Sequence, residues 1–394
     1  VHPDGRARNR KGFSMTTPRD EGGSNLTDTP VDESERGADA IPDWWVYRCT
    51  GEPHDGLSRL PAAPPWRSFT DGPPRADLLS LPPRPAHLAG HKKGRYLQAS
   101  RYQADREEIH LVNLALLLRR PLLVTGSPGV GKSTLAHSIA HELKLGPVLR
   151  WPVTSRTTLN DGLYQYDAIG RLQEVGLAER LAELRRGRRR GTVRSGKPSE
   201  PADIGRYLRL GPLGTALLPW RTPRVLLIDE IDKGDVDFPG DLLHVFEEGE
   251  FTIPELARLH RPSTKVMTAD DEGWVELRRG RVCCHEFPVV VMTSNNEREF
   301  SPAFLRRCIR LEIPQPDETK LARLLEAHLP EPEAGASAVH AALIGEFTRK
   351  QDEEGAKLAN DQLLNAVRVA ESLWGDEQGR RLISEHLLRP LNEG

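Results

Sequence analysis

Eight consecutive residues, Gly126-Ser127-Pro128-Gly129-Val130-Gly131-Lys132-Ser133, fit the pattern G-x-x-x-x-G-K-[ST] in full. Each residue type answers a need of a bound phosphate chain. Glycine lets the backbone curl until its N–H groups point at phosphate oxygens. The Lys132 ammonium suits the β- and γ-phosphates, and the Ser133 hydroxyl suits Mg²⁺. A short apolar stretch at 122–125 enters the loop and a helix leaves it, so the helix start adds partial positive charge. The expected nucleotide-binding set is Gly126, Ser127, Pro128, Gly129, Val130, Gly131, Lys132, Ser133 and Thr134, with ATP and Mg²⁺ as the bound species.

A second group is acidic. Val225-Leu226-Leu227-Ile228-Asp229-Glu230 reads as a buried strand that ends in two carboxylates. Asp229 can hold Mg²⁺, directly or through water, and Glu230 can polarise an attacking water as general base. A third run, Val289-Val290-Val291-Met292-Thr293-Ser294-Asn295, is another apolar strand with polar residues at its end, and Asn295 could orient that water. A helix over 301–307 ends in Arg306-Arg307. These are either ordinary partners of a helix dipole or cations that face the nucleotide of a neighbouring subunit.

Chemistry at strand ends needs strands and helices to hold it. The pattern predicts a helix over 105–120, a strand at Leu122–Thr125, a helix at Leu135–Leu143, and strands at Val148–Val153, Arg224–Asp229 and Phe287–Ser294. Short apolar strands alternating with helices indicate an α/β fold, a parallel sheet with helices on both faces. Residues 317–394 show no strand signal and four amphipathic helical stretches, a small all-helical C-terminal domain. The expected domains are a disordered tail at 1–40, a Pro/Trp-rich arm at 41–95, a nucleotide-binding core at 96–316 and a helical lid at 317–394. The arm carries Trp44, Trp45, Tyr47, Trp66 and Phe69 between prolines that prevent long helices. Such a segment would lie extended on the core or on a neighbouring subunit.

The chain has 394 residues, 37% hydrophobic and 28% charged, with net charge −2, so it has no bulk bias toward nucleic acid or acidic membranes. It has no apolar run long enough for a membrane span and no signal-peptide core in its first residues, which points to the cytoplasm. The 4 cysteines are spaced for neither a disulfide framework nor a zinc ribbon. Residue 1 is Val, which a non-standard start or a trimmed chain accounts for, and Met15 is a candidate start. The segment Arg185–Lys197 has 7 basic residues and no acidic one. Without interleaved aromatics it reads as a solvated insertion loop rather than a nucleic-acid surface.

Taken together, the four motifs resemble an AAA+ ATPase. Three further stretches resemble the MoxR family: Thr157–Ala168, Leu210–Leu217 and Phe246–Phe251. The likeness covers about 100–390. It implies a P-loop NTPase core, Asn295 as sensor 1, and Arg307 as an arginine finger, with Arg306 where an acidic residue often sits. It also implies a β-hairpin at 260–287, with strands at Lys265–Thr268 and Trp274–Leu277. The implied assembly is a ring, commonly hexameric, that acts on a protein partner such as a von Willebrand factor A domain protein. Similar arms in some relatives suggest bacterial conflict or defence systems. One departure is plain: Leu358–Leu364, where relatives carry a sensor 2 arginine, has none, and Arg368 lies two turns further on. Two other readings stand beside this one. The basic segment would suit a nucleic-acid motor or restriction subunit, and the missing arginine would suit a slow nucleotide-gated switch.

Overall fold

The computed structural model describes residues 41–69, 78–82, 94, 97–188, 203–259, 261–271, 273–329, 336–353, 358–373 and 377–390. The tail expected at 1–40, part of the arm and the basic segment beyond residue 188 lie outside the described residues. Asp43–Gly394 forms one unit. Its strands are β1 (Leu122–Thr125), β2 (Leu149–Pro152), β3 (Tyr164–Tyr166), β4 (Leu208–Leu210), β5 (Val225–Asp229), β6 (Glu250–Thr252), β7 (Ser263–Met267), β8 (Trp274–Arg278), β9 (Arg281–Cys283), β10 (Val289–Ser294) and β11 (Ile309–Glu312). Its main helices are α1 (Arg106–Leu118), α2 (Lys132–Glu142), α3 (Ala168–Arg188), α4 (Phe238–Glu248), α5 (Pro302–Leu305), α6 (Glu318–His328), α7 (Ala336–Glu353), α8 (Asn360–Leu373) and α9 (Glu377–Leu382).

Five strands form the central sheet in the order β11-β1-β10-β5-β2. Every neighbouring pair is parallel. Both faces are buried, and successive side chains alternate between two cores, as a pleated strand requires. Leu123, Leu226, Ile228, Val290 and Met292 pack with Phe238, Leu242 and Phe246 of α4. Leu122, Val124, Val225, Leu227 and Val291 pack with α1 and α2 on the other face. This is the expected α/β arrangement. β11 was not anticipated: Ile-Arg-Leu-Glu is too short and too charged to register as a buried strand, yet it closes the sheet edge against β1.

The arm is anchored on the second core. Trp45, Val46 and Tyr47 are buried there. The Asn113 side chain accepts from Val46 N at 2.6 Å and Tyr47 N at 2.9 Å and donates to Tyr47 O at 2.7 Å. Glu142, buried at the end of α2, accepts from Arg48 N at 2.6 Å, Thr50 N at 2.7 Å and His54 Nε2 at 2.9 Å. Buried polar groups matched this way hold a proline-rich segment without needing helix or sheet.

A second sheet, β3-β4-β7-β8, carries the expected hairpin, with β7 and β8 antiparallel. Its turn is tied to the start of β5. Arg224 is fully buried, donates to Asp270 at 2.7 and 2.9 Å, and lies 4.9 Å from the Trp220 ring centre. α3 occupies residues that were not assigned an element, its composition being too polar to show a buried stripe. The C-terminal helices α6 to α9 share a core of their own built on Leu321, Phe347, Leu363 and Val367. Among the described residues no helix is long and apolar enough to cross a membrane.

Candidate functional site

The parallel register sets where chemistry can occur. Thr125 pairs with Ser294, and Pro152 with Asp229, so the C-terminal ends of β1, β10, β5 and β2 form one rim. Gly126, Asn295 and Glu230 follow directly on that rim.

The loop between β1 and α2 curls through residues only glycine fits well. Gly129 has φ +80°, and a Cβ there would meet the Ala359 Cβ at 2.1 Å. Gly131 is left-handed too, with φ +106°, and forms the start of α2 without any side-chain cap. Thr134 N turns back onto Gly131 O at 3.0 Å, so the N–H groups that the uncapped start leaves for a ligand are those of Lys132 and Ser133. Lys132 is 7% exposed, and its ammonium donates to Gly126 O, Ser127 O and Asn295 Oδ1, each at 2.8 Å. Burial lowers its pKa, while Asp232, Asp229 and Glu230 work the other way. A buried cation held chiefly by loop carbonyls is a group ready to exchange those bonds for phosphate oxygens.

Beside it sits the Asp229 carboxylate. Ser133 Oγ donates to Oδ1 at 2.6 Å and Thr293 Oγ1 donates to the same oxygen at 2.8 Å. Arg150 donates to Oδ2 from Nη2 at 2.6 Å and from Nε at 3.2 Å. Burial opposes ionisation of Asp229, but the donations from Ser133, Arg150 and Thr293 outweigh it and hold the carboxyl below its usual range. The hydroxyl of Ser133 and the carboxylate of Asp229 form an oxygen donor set that suits Mg²⁺.

Glu230 takes up a left-handed backbone, φ 60°, with its N–H donated to Thr293 Oγ1 at 2.9 Å. Its side chain is 44% exposed and paired with Lys233 at 2.8 Å. The carboxylate is thus turned to solvent on the rim, open to a water. Asp232 supports the opposite wall: its Oδ2 accepts from Asn295 N at 2.9 Å and Glu297 N at 3.1 Å. That fixes the turn from which Asn295 reaches Lys132.

The C-terminal helices touch this loop at the start of α8 and support it indirectly through α6. Asn360 N, at the start of α8, donates to Gly129 O at 3.2 Å. Lys320 on α6 bridges Asp105, the N-cap of α1, and Glu108 in its first turn, 2.6 Å from each, and Glu108 accepts from Tyr102 OH at 2.7 Å. Tyr102 in turn lies against Gly131. Arg368 is exposed on α8, whereas Asn360 is buried. The α8 residue that meets the phosphate loop is therefore Asn360.

Arg307 lies elsewhere. Ile309 pairs with Leu122, which puts Arg307 level with Arg120 at the N-terminal ends of the strands. From that level to Gly126 is six residues of nearly extended chain, roughly 20 Å at about 3.3 Å per residue. The expected helix over 301–307 is shorter: α5 ends at Leu305, Arg306 caps it, and Arg307 stands beyond it. Arg307 pairs with Glu247 at the end of α4 and donates to Ala303 O at 3.1 Å. Arg120 donates to Arg306 O at 2.9 Å.

The structure therefore gathers Lys132, Ser133, Asp229, Glu230 and Asn295 on one rim and sets Arg307 apart at the other. Sequence reasoning missed Arg150, Thr293 and Asp232 as participants. Thr293 and Asp232 each lie within three residues of an assigned group, and Arg150 sits on the strand next to β5, so motif proximity would have found two and strand pairing the third. Among known protein families, residues 121–308 match the AAA domain of the dynein-related subfamily. Comparison with curated proteins finds no match.

Proposed function

We propose that this chain, which carries an AAA domain over residues 121–308, hydrolyses ATP at contacts between head-to-tail copies of itself and uses the cycle to remodel a protein partner. The observation that carries this reading is the placement of its cations. Lys132 and the uncapped start of α2 lie at one end of a parallel sheet, and Arg307 lies at the other. A phosphoryl group bound at the rim needs more positive charge as its transition state forms. Arg307 of the same chain is too far away to give it.

In this reading the loop Gly126–Thr134 binds the triphosphate through backbone N–H groups, with Lys132 on the β- and γ-phosphates. Ser133 and Asp229 hold Mg²⁺, which when bound draws charge from the transferring phosphoryl group. Glu230 orients and deprotonates the attacking water, and Asn295 positions it. Arg307 of the next copy stabilises the transition state. Contacts that join opposite ends of a subunit are heterologous, and they close into rings when the rotation allows. A ring of six is what the MoxR resemblance implies. The partner it implies is a von Willebrand factor A domain protein, and the stretches at 157–168, 210–217 and 246–251 support this finer assignment.

The test is specific ATPase activity across a dilution series, with mass measured in parallel. Activity per subunit should rise with concentration as assemblies form. A flat profile from a monomer with ATP bound would remove the trans site.

A further inference from the structure

Arg150 stands on β2 before the rim, and the register of the strand explains its reach. Arg150 pairs with Leu227 of β5, and Pro152 pairs with Asp229. Side chains two residues apart share a face of a strand. Leu227 and Asp229 therefore share one face, and Leu227 packs there with α1 and α2. Leu149 and Trp151 fill the core on the opposite face. That leaves Arg150 on the α2 side, where its guanidinium runs along the strand direction to the carboxylate of Asp229. Nη2 donates to Oδ2 at 2.6 Å and Nε donates to the same oxygen at 3.2 Å.

These two bonds complete the carboxylate. A carboxylate offers about four lone-pair sites. Ser133 and Thr293 donate to Oδ1, and Arg150 donates twice to Oδ2. A Mg²⁺ ion held by Asp229, directly or through water, needs one of those sites. The three donors differ in how readily they give way. The Ser133 hydroxyl can keep its proton on Oδ1 while its own lone pairs meet the metal. Thr293 is 1% exposed, and its Oγ1 also accepts from Glu230 N at 2.9 Å, so it is locked in place. The Arg150 side chain is 42% exposed. It borders a cavity of about 140 Å³ that Gln98, Ser133, Thr134, His137 and Leu227 also line. The guanidinium thus has both solvent and space to move into. Two cations on one carboxylate also repel each other.

We propose that Arg150 is an internal counter-cation of the site: it competes with Mg²⁺ for Oδ2 of Asp229 and swings into the adjoining cavity when metal and nucleotide enter. The inference rests on the nucleotide and Mg²⁺ site proposed above, and it adds the residue that sets how much Mg²⁺ is needed to load that site. Leaving a buried carboxylate without a cation is costly, and Arg150 spares Asp229 that cost before loading. The exposure of the guanidinium keeps the pair weak enough to exchange. Arg150 acts through Asp229 and is a positioning residue.

The experiment compares full-length wild type, Arg150→Gln and Arg150→Lys. Calorimetry follows binding of an ATP analogue with a non-hydrolysable β–γ bridge over a series of free Mg²⁺ concentrations, and thermal unfolding is followed with Mg²⁺ alone. The half-saturating Mg²⁺ concentration should fall about threefold to tenfold in Arg150→Gln, the scale of a partly exposed charge-assisted pair. Arg150→Lys keeps the charge without the planar fork, so its value should lie between the other two. The Lys variant carries the same comparison if the Gln variant fails to fold. Without nucleotide, Mg²⁺ should raise the unfolding temperature of Arg150→Gln more than that of wild type. A merely structural ion pair would lower the variant's unfolding temperature and leave both Mg²⁺ responses at their wild-type values. That result, or a half-saturating concentration that rises, would overturn the competition while leaving the nucleotide site in place. A wild-type chain that binds the analogue no better with Mg²⁺ than without it would overturn the metal site and the competition together.

Discussion

The two ends of the central sheet use their charged groups in opposite ways. At the C-terminal ends the buried groups have partners from other elements, Lys132 with Asn295, Asp229 with Ser133, Thr293 and Arg150, and Asp232 with the turn after β10, while Glu230 pairs with Lys233 of its own turn. At the N-terminal ends Arg67, Arg119 and Arg120 are satisfied mainly by backbone carbonyls, and Arg307 is paired with Glu247. Arg67 bonds Arg119 O and Phe246 O, Arg119 bonds Pro61 O and Leu116 O, and Arg120 bonds Arg306 O. Carbonyl bonds orient a guanidinium without cancelling its charge. One end is thus a pre-wired site, and the other holds several guanidinium groups in position, with Glu247 on Arg307 and Glu286 near Arg119. In the proposed function the second end serves the first end of another copy.

The comparison can be broken most severely at the pre-wired end. Lys132→Ala removes the ammonium that three oxygens of the loop and rim now hold. Truncating one partner of a buried charge pair typically costs about 2–5 kcal/mol, roughly 30-fold to a few thousand-fold in affinity. Calorimetry should show ATP binding weakened by that range, and unchanged affinity would mean that the phosphate loop is not where nucleotide binds.

A smaller effect sharpens the comparison from the lid side. Lys320→Ala removes the bridge from α6 to Asp105 and Glu108, leaving the buried Glu108 carboxylate with the Tyr102 hydroxyl and the Asp105 N–H but no cation. The expected loss is about 1–3 kcal/mol of stability in urea unfolding. Burial works against the Lys320 ammonium, but Asp105 and Glu108 outweigh it and raise its pKa above the ordinary 10.5. A folded-state pKa above the unfolded one means the contribution is complete below that ordinary value and fades as pH rises through the folded value. The gap between wild type and variant should therefore be constant at neutral pH and close only in strong alkali. A gap that instead closed on mild acidification would assign the stabilisation to other groups.

Much of the pre-wired end was legible in the sequence because its chemistry is local. The phosphate loop is one contiguous run, and Asp229, Glu230 and Asn295 each follow an apolar strand, so the strand-end rule places them. What was not legible depends on pairing between strands. Arg150 reaches Asp229 only because β2 lies next to β5, and alternation along Leu149–Pro152 does not name the neighbour. β11 has two charged residues in four and hides its role as a sheet edge. At the arginine end the residue types were visible but the positions were not. That Trp66 of the arm, Glu247 of α4 and Arg307 share one cavity follows from the chain's return path, which no short motif encodes.

The most direct test mixes two inactive proteins. Glu230→Gln should bind ATP and hydrolyse about 10²–10⁴-fold more slowly. Arg307→Ala should bind ATP and be slower by up to about 10³–10⁵-fold. In an equal mixture, roughly one head-to-tail interface in four pairs a wild-type Glu230 with a wild-type Arg307 from the neighbour. ATPase activity should therefore reappear on mixing, at up to about a quarter of the wild-type rate. A mixture no more active than its two components, or an Arg307→Ala protein as active as wild type, would contradict the claim that the two ends of the sheet act together across two copies.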